Sequence, residues 1–490
     1  MAGVLVAADE AVGQRSPPAH PRRTVSAVTA PAPTTLGQLR ADGHEHRTVK
    51  AEIRANLLAA MRSGQDPFPG IVGFDDTVRP DLERALLAGH DLVLLGERGQ
   101  GKTRLMRTVA GLLDEWSPVV VGCEVNDHPY APVCVRCQTL VAERGDGVPV
   151  GWRHRDQRYG EKLATPDTSV GDLVGDVDPV KVAQGRTLGD PETVHYGLMP
   201  RTNRGVLGLN ELPDLAERIQ VALFNVLEER DIQVRGYTLR LPLDLLVIAS
   251  ANPEDYTNRG RIISPLKDRF GAEVRTHYPL EVADEVALVT QEADLVAEVP
   301  AHLLEIIARL ARELRSSTSV DQRSGVSARL AVAAAEAAAG SALRRAALVG
   351  EEPAVARVAD LPGVLGSMRG KLEFETGEDG REDEILDHLL RVAVAATFRE
   401  RLAGLELSGF TERFAAGETV ETGLLAPARE LLDQLGRVRG LAQVLARLGV
   451  DEAGVSPGQV AAAVELVLEG LWLTRRLTKD NLDGRSVYGS

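Results

Sequence analysis

The sequence predicts an α/β fold: a parallel sheet covered by helices on both faces, followed by a long and almost wholly helical region. Three observations predict it. A run of fully buried strand type, Asp91-Leu92-Val93-Leu94-Leu95, leads straight into the glycine-rich turn Gly96-Glu97-Arg98-Gly99-Gln100-Gly101-Lys102-Thr103. Strands and helices then alternate to about Tyr278, and from residue 283 onward apolar residues follow a helical period. Alternation of this kind implies parallel strands joined by covering helices.

Residues 1–48 are rich in Ala, Pro, Thr and Arg without apolar periodicity, which predicts a mobile tail. A helical pattern from Lys50 to Met61 is broken by Asp66-Pro67-Phe68-Pro69-Gly70, and a second helix is expected near Thr77–Ala88. The α/β domain is read as residues 49–282. Its further strands are Val119–Cys123, Gly205–Leu209 and Leu245–Ser250, and its helices include Lys102–Leu113 and Leu215–Glu229. Ile232–Leu241 alternates apolar and polar residues around Gly236, the pattern of an inserted hairpin.

Residues 283–372 read as a helical lid. There His302–Leu314 sets Leu303, Ile306, Ile307, Leu310 and Leu314 on one stripe, and the Ala-rich Val326–Val349 supplies lid core. Residues 373–490 read as a C-terminal helical region, with helices at Ile385–Leu402 and Leu425–Leu448 entered through a charged linker at Glu375–Glu384.

Bulk properties bound the function. The 490 residues are 44% hydrophobic but only 4% aromatic, enough for two to four domains whose helices meet through small aliphatic faces. A formal charge of −15 argues against a general nucleic-acid binder, which needs a basic stripe to displace counterions. No apolar run approaches the roughly 18 residues of a membrane span. Met1–Val6 carries no basic leader and Asp9 and Glu10 follow, which argues against a signal peptide. Three cysteines do not make a disulfide framework, so the expected location is a reducing cytoplasm.

The strand, glycine turn and helix from Asp91 onward have the order that gives a GxxxxGK[ST] pattern its meaning. Glycines let backbone N–H groups converge on phosphate oxygens, and the following helix adds positive potential. The candidate nucleotide-binding residues are Gly96, Glu97, Arg98, Gly99, Gln100, Gly101, Lys102 and Thr103. Lys102 would reach the β- and γ-phosphates, and Thr103 would ligate Mg²⁺. A second buried strand, Gly205–Leu209, ends in Asn210-Glu211. Glu211 is the candidate base for the attacking water, and Asn210 the second candidate near the metal, holding its water through the amide oxygen without a charge. The third strand delivers Asn252, a polar amide able to hold that water from the other side. Arg269, in Ser264–Phe270, is a candidate finger reaching a neighbouring subunit's γ-phosphate; the alternative is a salt bridge to Asp268 or Glu273.

These motifs together resemble the AAA+ ATPase subunit of magnesium chelatase and, more loosely, the MoxR-type ATPases, over roughly residues 70–340. Leu173-Val174-Gly175-Asp176-Val177-Asp178-Pro179 is similar to that family's "LVG-x-x-D" segment. Gly197–Leu207 is similar to its approach to the acidic strand, and Asn252-Pro253-Glu254 and Leu266-Lys267-Asp268-Arg269-Phe270-Gly271 to its "NPE" and "LLDRFG". Gly325-Val326-Ser327-Ala328-Arg329 resembles the lid's "S-x-R" sensor, which implies that Arg329 contacts nucleotide phosphate. The resemblance implies an AAA+ sheet core with inserted hairpins, a helical lid, ATP and Mg²⁺ as ligands, and a homo-oligomeric ring of about six subunits. It also implies a separate partner bearing a von Willebrand A domain, since this chain has no Asp-x-Ser-x-Ser motif.

Three departures point to a bacterial chelatase-like paralogue. Asn210 replaces the family's Asp, the stretch from Cys123 to Gly171 is longer than expected, and the C-terminal 120 or so residues have no clear counterpart. The expected function is therefore an ATP-hydrolysing motor that remodels a partner protein or assists metal insertion. The alternative, kept open by Asn210, is a nucleotide-gated scaffold with little turnover. An activator of the sigma-54 type is disfavoured, because neither a GAFTGA loop nor a C-terminal helix-turn-helix with a basic face is present.

Two further features bear on chemistry. Cys123, Cys134 and Cys137, with His128, offer four zinc ligands, and Cys134-Val135-Arg136-Cys137 has a metal-knuckle gap. Cys123 is expected at the end of a buried strand and the second ligand pair is irregularly spaced, so the reading favours ordinary small side chains. Arg153, His154, Arg155 and Arg158, beside Trp152 and Tyr159, read as a solvated charged loop.

Overall fold

Leu92–Leu95 (β1) is buried at all four residues, as a strand covered on both faces must be. In the computed structural model, which describes residues 30–184, 193–228, 231–234, 237–253, 261–321, 325–450, 454–482 and 485–490, it sits inside a five-stranded sheet. The other strands are Tyr159–Leu163 (β2), Gly205–Asn210 (β3), Leu245–Ala251 (β4) and Ala272–Arg275 (β5). Every pairing is parallel and the spatial order is β5-β1-β4-β3-β2. Because β1 lies between β4 and β5, chain connections diverge at its carboxyl end and open a crevice there. The apolar residues of β1 divide between two cores: Val93 and Leu95 face one, Leu92 and Leu94 the other.

Two strands differ from expectation. β2 was not foreseen, because Tyr-Gly-Glu-Lys-Leu has no apolar run; as an edge strand paired to β3 alone it needs none. The strand expected at Val119–Cys123 instead spans Trp116–Val120, pairs antiparallel with Val150–His154 and stands outside the parallel sheet. Gly122, at φ +73°, turns the chain beyond it, so Cys123 belongs to a turn. The expected hairpin is present as Asp231–Val234 against Tyr237–Arg240.

The expected tail is corrected from residue 35 on. Thr35 caps a short helix, Leu36–Ala41, whose Leu36 and Leu39 are fully buried, and the Leu36 amide donates to the Val148 carbonyl at 2.9 Å. Two leucines three apart suffice to dock one turn, a signal too short for periodicity.

The charged loop is corrected as well. Arg158 is 1% exposed and meets Glu52, 2% exposed, through two hydrogen bonds of 2.7 and 2.8 Å, while its Nε donates to the Arg204 carbonyl at 2.7 Å. Removing one partner would strand a buried charge. Arg158→Met is expected to lower unfolding stability by about 3–5 kcal/mol in urea titrations. Glu52→Met combined with Arg158→Met should recover much of that loss.

Beyond β5 the chain is mostly helical: Val282–Glu292, Ala301–Ser316, Arg329–Val349, Glu382–Arg401 and Pro457–Leu473. One continuous core runs from Val289 to Tyr488, so the expected boundary between lid and C-terminal region at residue 372 is not a packing boundary. Ala331, Ala334, Ala335, Ala338, Ala339 and Ala342 are all fully buried in it, small side chains that let helices approach closely. The last region is not purely helical. Val420–Gly423, Arg485–Gly489 and Thr478–Leu482 form a three-stranded antiparallel sheet, and Gly436 and Gly440 split the expected Leu425–Leu448 helix into Ala428–Leu435 and Leu441–Arg447. Among the described residues no helix is long and apolar enough to cross a membrane.

Candidate nucleotide site

The glycine turn leaves β1 at the sheet's carboxyl edge. Gly99 and Gly101 have φ of +77° and +76°, and a Cβ on Gly99 would lie 2.2 Å from the Ser327 hydroxyl oxygen. No L side chain fits Gly99. Gln100 braces the turn from within: its Oε1 accepts from the Glu97 amide at 3.0 Å and from the Thr276 hydroxyl at 2.9 Å. Lys102 opens the helix Lys102–Val109, 9% exposed, and its Nζ donates to the carbonyls of Gly96 and, at 2.6 Å, Glu97. The ammonium is thus folded back over the turn it is expected to serve.

Strand register brings the other candidates to the same edge. Leu95 pairs with Ala251, and the Gly96 amide donates to the Ala251 carbonyl at 3.2 Å, which puts Asn252 next to the turn. Asn252 is 5% exposed. Leu209 pairs with Ala249, so Asn210 and Glu211 end one strand further on. The Thr103 hydroxyl donates to Asn210 Oδ1 at 3.0 Å, joining the two proposed metal-side residues directly. Glu211 has left-handed backbone angles, φ +58° and ψ +45°, and its amide donates to the Ser250 hydroxyl at 3.2 Å. Strain of this kind in a non-glycine residue is typical of functional positions.

Glu161 was missed by the sequence reading. It lies on the edge strand β2 and its Oε1 accepts from Asn210 Nδ2 at 2.8 Å, while Arg107 grips it at 2.7 and 3.0 Å. Donating to the Glu161 carboxylate holds the Arg107 guanidinium above its ordinary pKa. A carboxylate accepting from an amide's N–H pushes electron density toward the oxygen on the other side, so Asn210 Oδ1 is a better acceptor than a lone amide. An acid two residues into a polar strand was the only available signal, and it is weak without the sheet order. Glu161→Gln is expected to cut activity or Mg²⁺ affinity about 10–100-fold, as for other supports of a metal ligand. The check is the Mg²⁺ concentration needed for half-maximal turnover, which should rise.

The two arginines are placed differently. Arg269 ends the helix Ser264–Arg269, 38% exposed at its side chain, and pairs with Glu228 at 2.8 Å while stacking on Phe224 at 5.4 Å. Its partner is therefore neither Asp268 nor Glu273. Among the described residues no hydrogen bond joins it to the glycine turn of its own chain. Arg329 is exposed at the first turn of Arg329–Val349, and its amide donates to the Ser327 hydroxyl at 3.2 Å. Since Ser327 lies against Gly99, the lid carries Arg329 to within two residues of the turn. The lid is anchored there by Arg315, which clasps the buried Glu285 at 2.6 and 2.9 Å and covers the Tyr278 ring at 4.3 Å. Tyr278 in turn donates its hydroxyl to the Arg98 carbonyl at 2.7 Å. Burial, with Glu97 adding to it, pushes the Tyr278 phenol up, so it remains a donor.

A parallel sheet in this order, a Gly-x-x-x-x-Gly-Lys-Thr turn at the end of β1, inserted hairpins and a helical lid on the turn are the features of an AAA+ P-loop fold. The sequence comparisons narrow the class. A family described as "Sigma-54 interaction domain" matches residues 186–269. The "Magnesium-chelatase 38 kDa subunit" of Cereibacter sphaeroides is 29% identical over 234 residues, 46% of this chain and 63% of that protein. "Magnesium-chelatase subunit ChlI" of Nostoc sp. is 26% identical over 258 residues, 51% of this chain and 64% of that protein. The chain thus spans a little under two thirds of the length of these two relatives. Among solved structures, a complex of the BchI and BchD subunits of magnesium chelatase aligns with 22% identity and a TM-score of 0.34, covering 67% of this chain and 95% of that one. The chain is thus similar, over about half its length, to ATPase subunits of magnesium chelatase.

Proposed function

We propose that this chain binds ATP with Mg²⁺ and hydrolyses it as a motor subunit that remodels a partner protein or assists metal insertion. The 3.0 Å contact between Thr103 and Asn210 carries the reading, because it closes the phosphate turn onto the strand end that bears Glu211. The residues suit the ligands. The turn's amides and Lys102 would hold the triphosphate, and Thr103 and Asn210 would face Mg²⁺, which when bound neutralises phosphate charge. Glu211 is the base that takes a proton from water, and Asn252 orients that water from the neighbouring strand. Arg329 is the lid's phosphate sensor, and Arg269 serves the site of an adjacent subunit.

The scaffold alternative rested on the missing charge at Asn210, and the Glu161 carboxylate behind that amide speaks against it. The test is steady-state phosphate release compared with Lys102→Ala. Turnover well above that variant is expected. Turnover equal to it, with ATP still bound by the parent chain, would sink the motor reading. We further propose a homo-oligomeric, hexameric ring resembling MoxR-type assemblies, a cytoplasmic setting, and a separate partner with a von Willebrand A domain. Light scattering with and without ATP, and the protein that co-purifies, check the first and last of these.

A further inference from the structure

Outside the parallel sheet, the loop after Trp116–Val120 gathers three sulfurs and a carboxylate. The ligand atoms of Cys123, Asp127, Cys134 and Cys137 all lie within 4.8 Å of one another. Asp127 and Cys137 are fully buried, Cys134 is 7% exposed and Cys123 is half-buried. The fourth candidate ligand, His128, is elsewhere: its Nδ1 accepts from the Tyr130 amide at 3.0 Å and its Nε2 meets His44 at 3.2 Å. The objection to Cys123 also falls, because that residue follows the Gly122 turn and does not end a strand.

Two details point to a cation site. Asp127 Oδ2 accepts from the amides of Val133 and Cys134 at 3.1 and 2.9 Å, but Oδ1 is buried with no hydrogen-bond partner. A fully buried carboxylate oxygen left bare is costly unless a positive group meets it. Backbone amides also point at sulfur: Asp127 toward Cys123 and Cys137 toward Cys134, each at 3.4 Å. Such donors suit thiolates, and the second lies at the start of the helix Val135–Arg144, where the dipole favours negative charge.

The spacing selects the chemistry. Zinc–sulfur bonds of about 2.3 Å in a tetrahedron hold sulfurs roughly 3.8 Å apart, and Cys123 and Cys134 are 3.9 Å apart. A disulfide needs about 2.0 Å. A multi-iron cluster would spread its ligands around several metal atoms, wider than this group allows. We propose that Cys123, Asp127, Cys134 and Cys137 bind one Zn²⁺ in a closed structural site. Four protein ligands leave no open position, so the ion staples the loop instead of reacting. The stapled loop reaches the base of β3: Asn126 Nδ2 donates to the Arg201 carbonyl at 2.6 Å, and Asn203 Nδ2 to the Val125 carbonyl at 3.0 Å. Zinc would thereby brace the strand that ends in Glu211 from its opposite end.

The test uses the full chain, purified without a polyhistidine tag, and elemental analysis for zinc. One equivalent per chain is expected, lost in Cys134→Ser combined with Cys137→Ser, with weaker retention against a chromophoric chelator in Asp127→Asn. Should those variants fold poorly, the parent chain decides. Stripped with a chelator and titrated with Co²⁺, it should give the thiolate charge-transfer and d–d bands of a tetrahedral site at one equivalent. The proposal is overturned by a parent chain with neither zinc nor that cobalt spectrum. It is equally overturned by zinc that survives loss of the cysteines, or by a Cys123–Cys134 disulfide in the alkylated native protein.

Discussion

A Glu211→Gln chain is expected to bind ATP as the parent does and to release phosphate about 10²–10⁴-fold more slowly, the usual worth of a positioned general base. The amide keeps the size and the hydrogen-bonding reach of the carboxylate and removes only its basicity. The backbone at this position is held independently of the change, since the Glu211 amide donates to the Ser250 hydroxyl. Calorimetric ATP titration and phosphate release, measured on the same preparation, separate the two effects. A variant that loses binding and turnover together would place Glu211 in the turn's architecture and not in its chemistry.

The second large effect belongs to Arg269. Alanine there should lower turnover by about 10³–10⁵-fold if the guanidinium serves a neighbouring γ-phosphate, with little change in nucleotide affinity. In the single chain the side chain rests on Glu228 and Phe224 at the end of a six-residue helix, a partly exposed pair worth little stability. Release from Glu228 toward an adjacent subunit is therefore inexpensive. Mixing Arg269→Ala chains with Glu211→Gln chains tests the sharing directly. Some interfaces then join an intact Glu211 to an intact Arg269, and activity should return. If the mixture stays as inactive as its components, each site works within one chain and the finger reading fails.

Much of the architecture was legible because its signals are local. A buried apolar strand, a glycine turn, a helix and the amphipathic stripe of 302–314 each declare themselves within a dozen residues. The same holds for Lys102 and Thr103, which open the helix after the turn, and for Asn210, Glu211 and Asn252 at strand ends where a parallel sheet gathers its loops. The edge strand β2 did not, since an edge needs no apolar run, and with it Glu161 went unseen.

What the sequence determined alone is the glycine turn and the class of fold that holds it, because contiguous residues already fix that backbone and its glycines. Only the tertiary structure decided which distant groups became partners. It set Glu161 behind Asn210, Glu52 against Arg158, Arg269 on Glu228, and Asp127 in place of His128 among the three cysteines. Buried polar groups must find a complement, and the complement is chosen by how strands and loops come together in space, a choice that no spacing along the chain records.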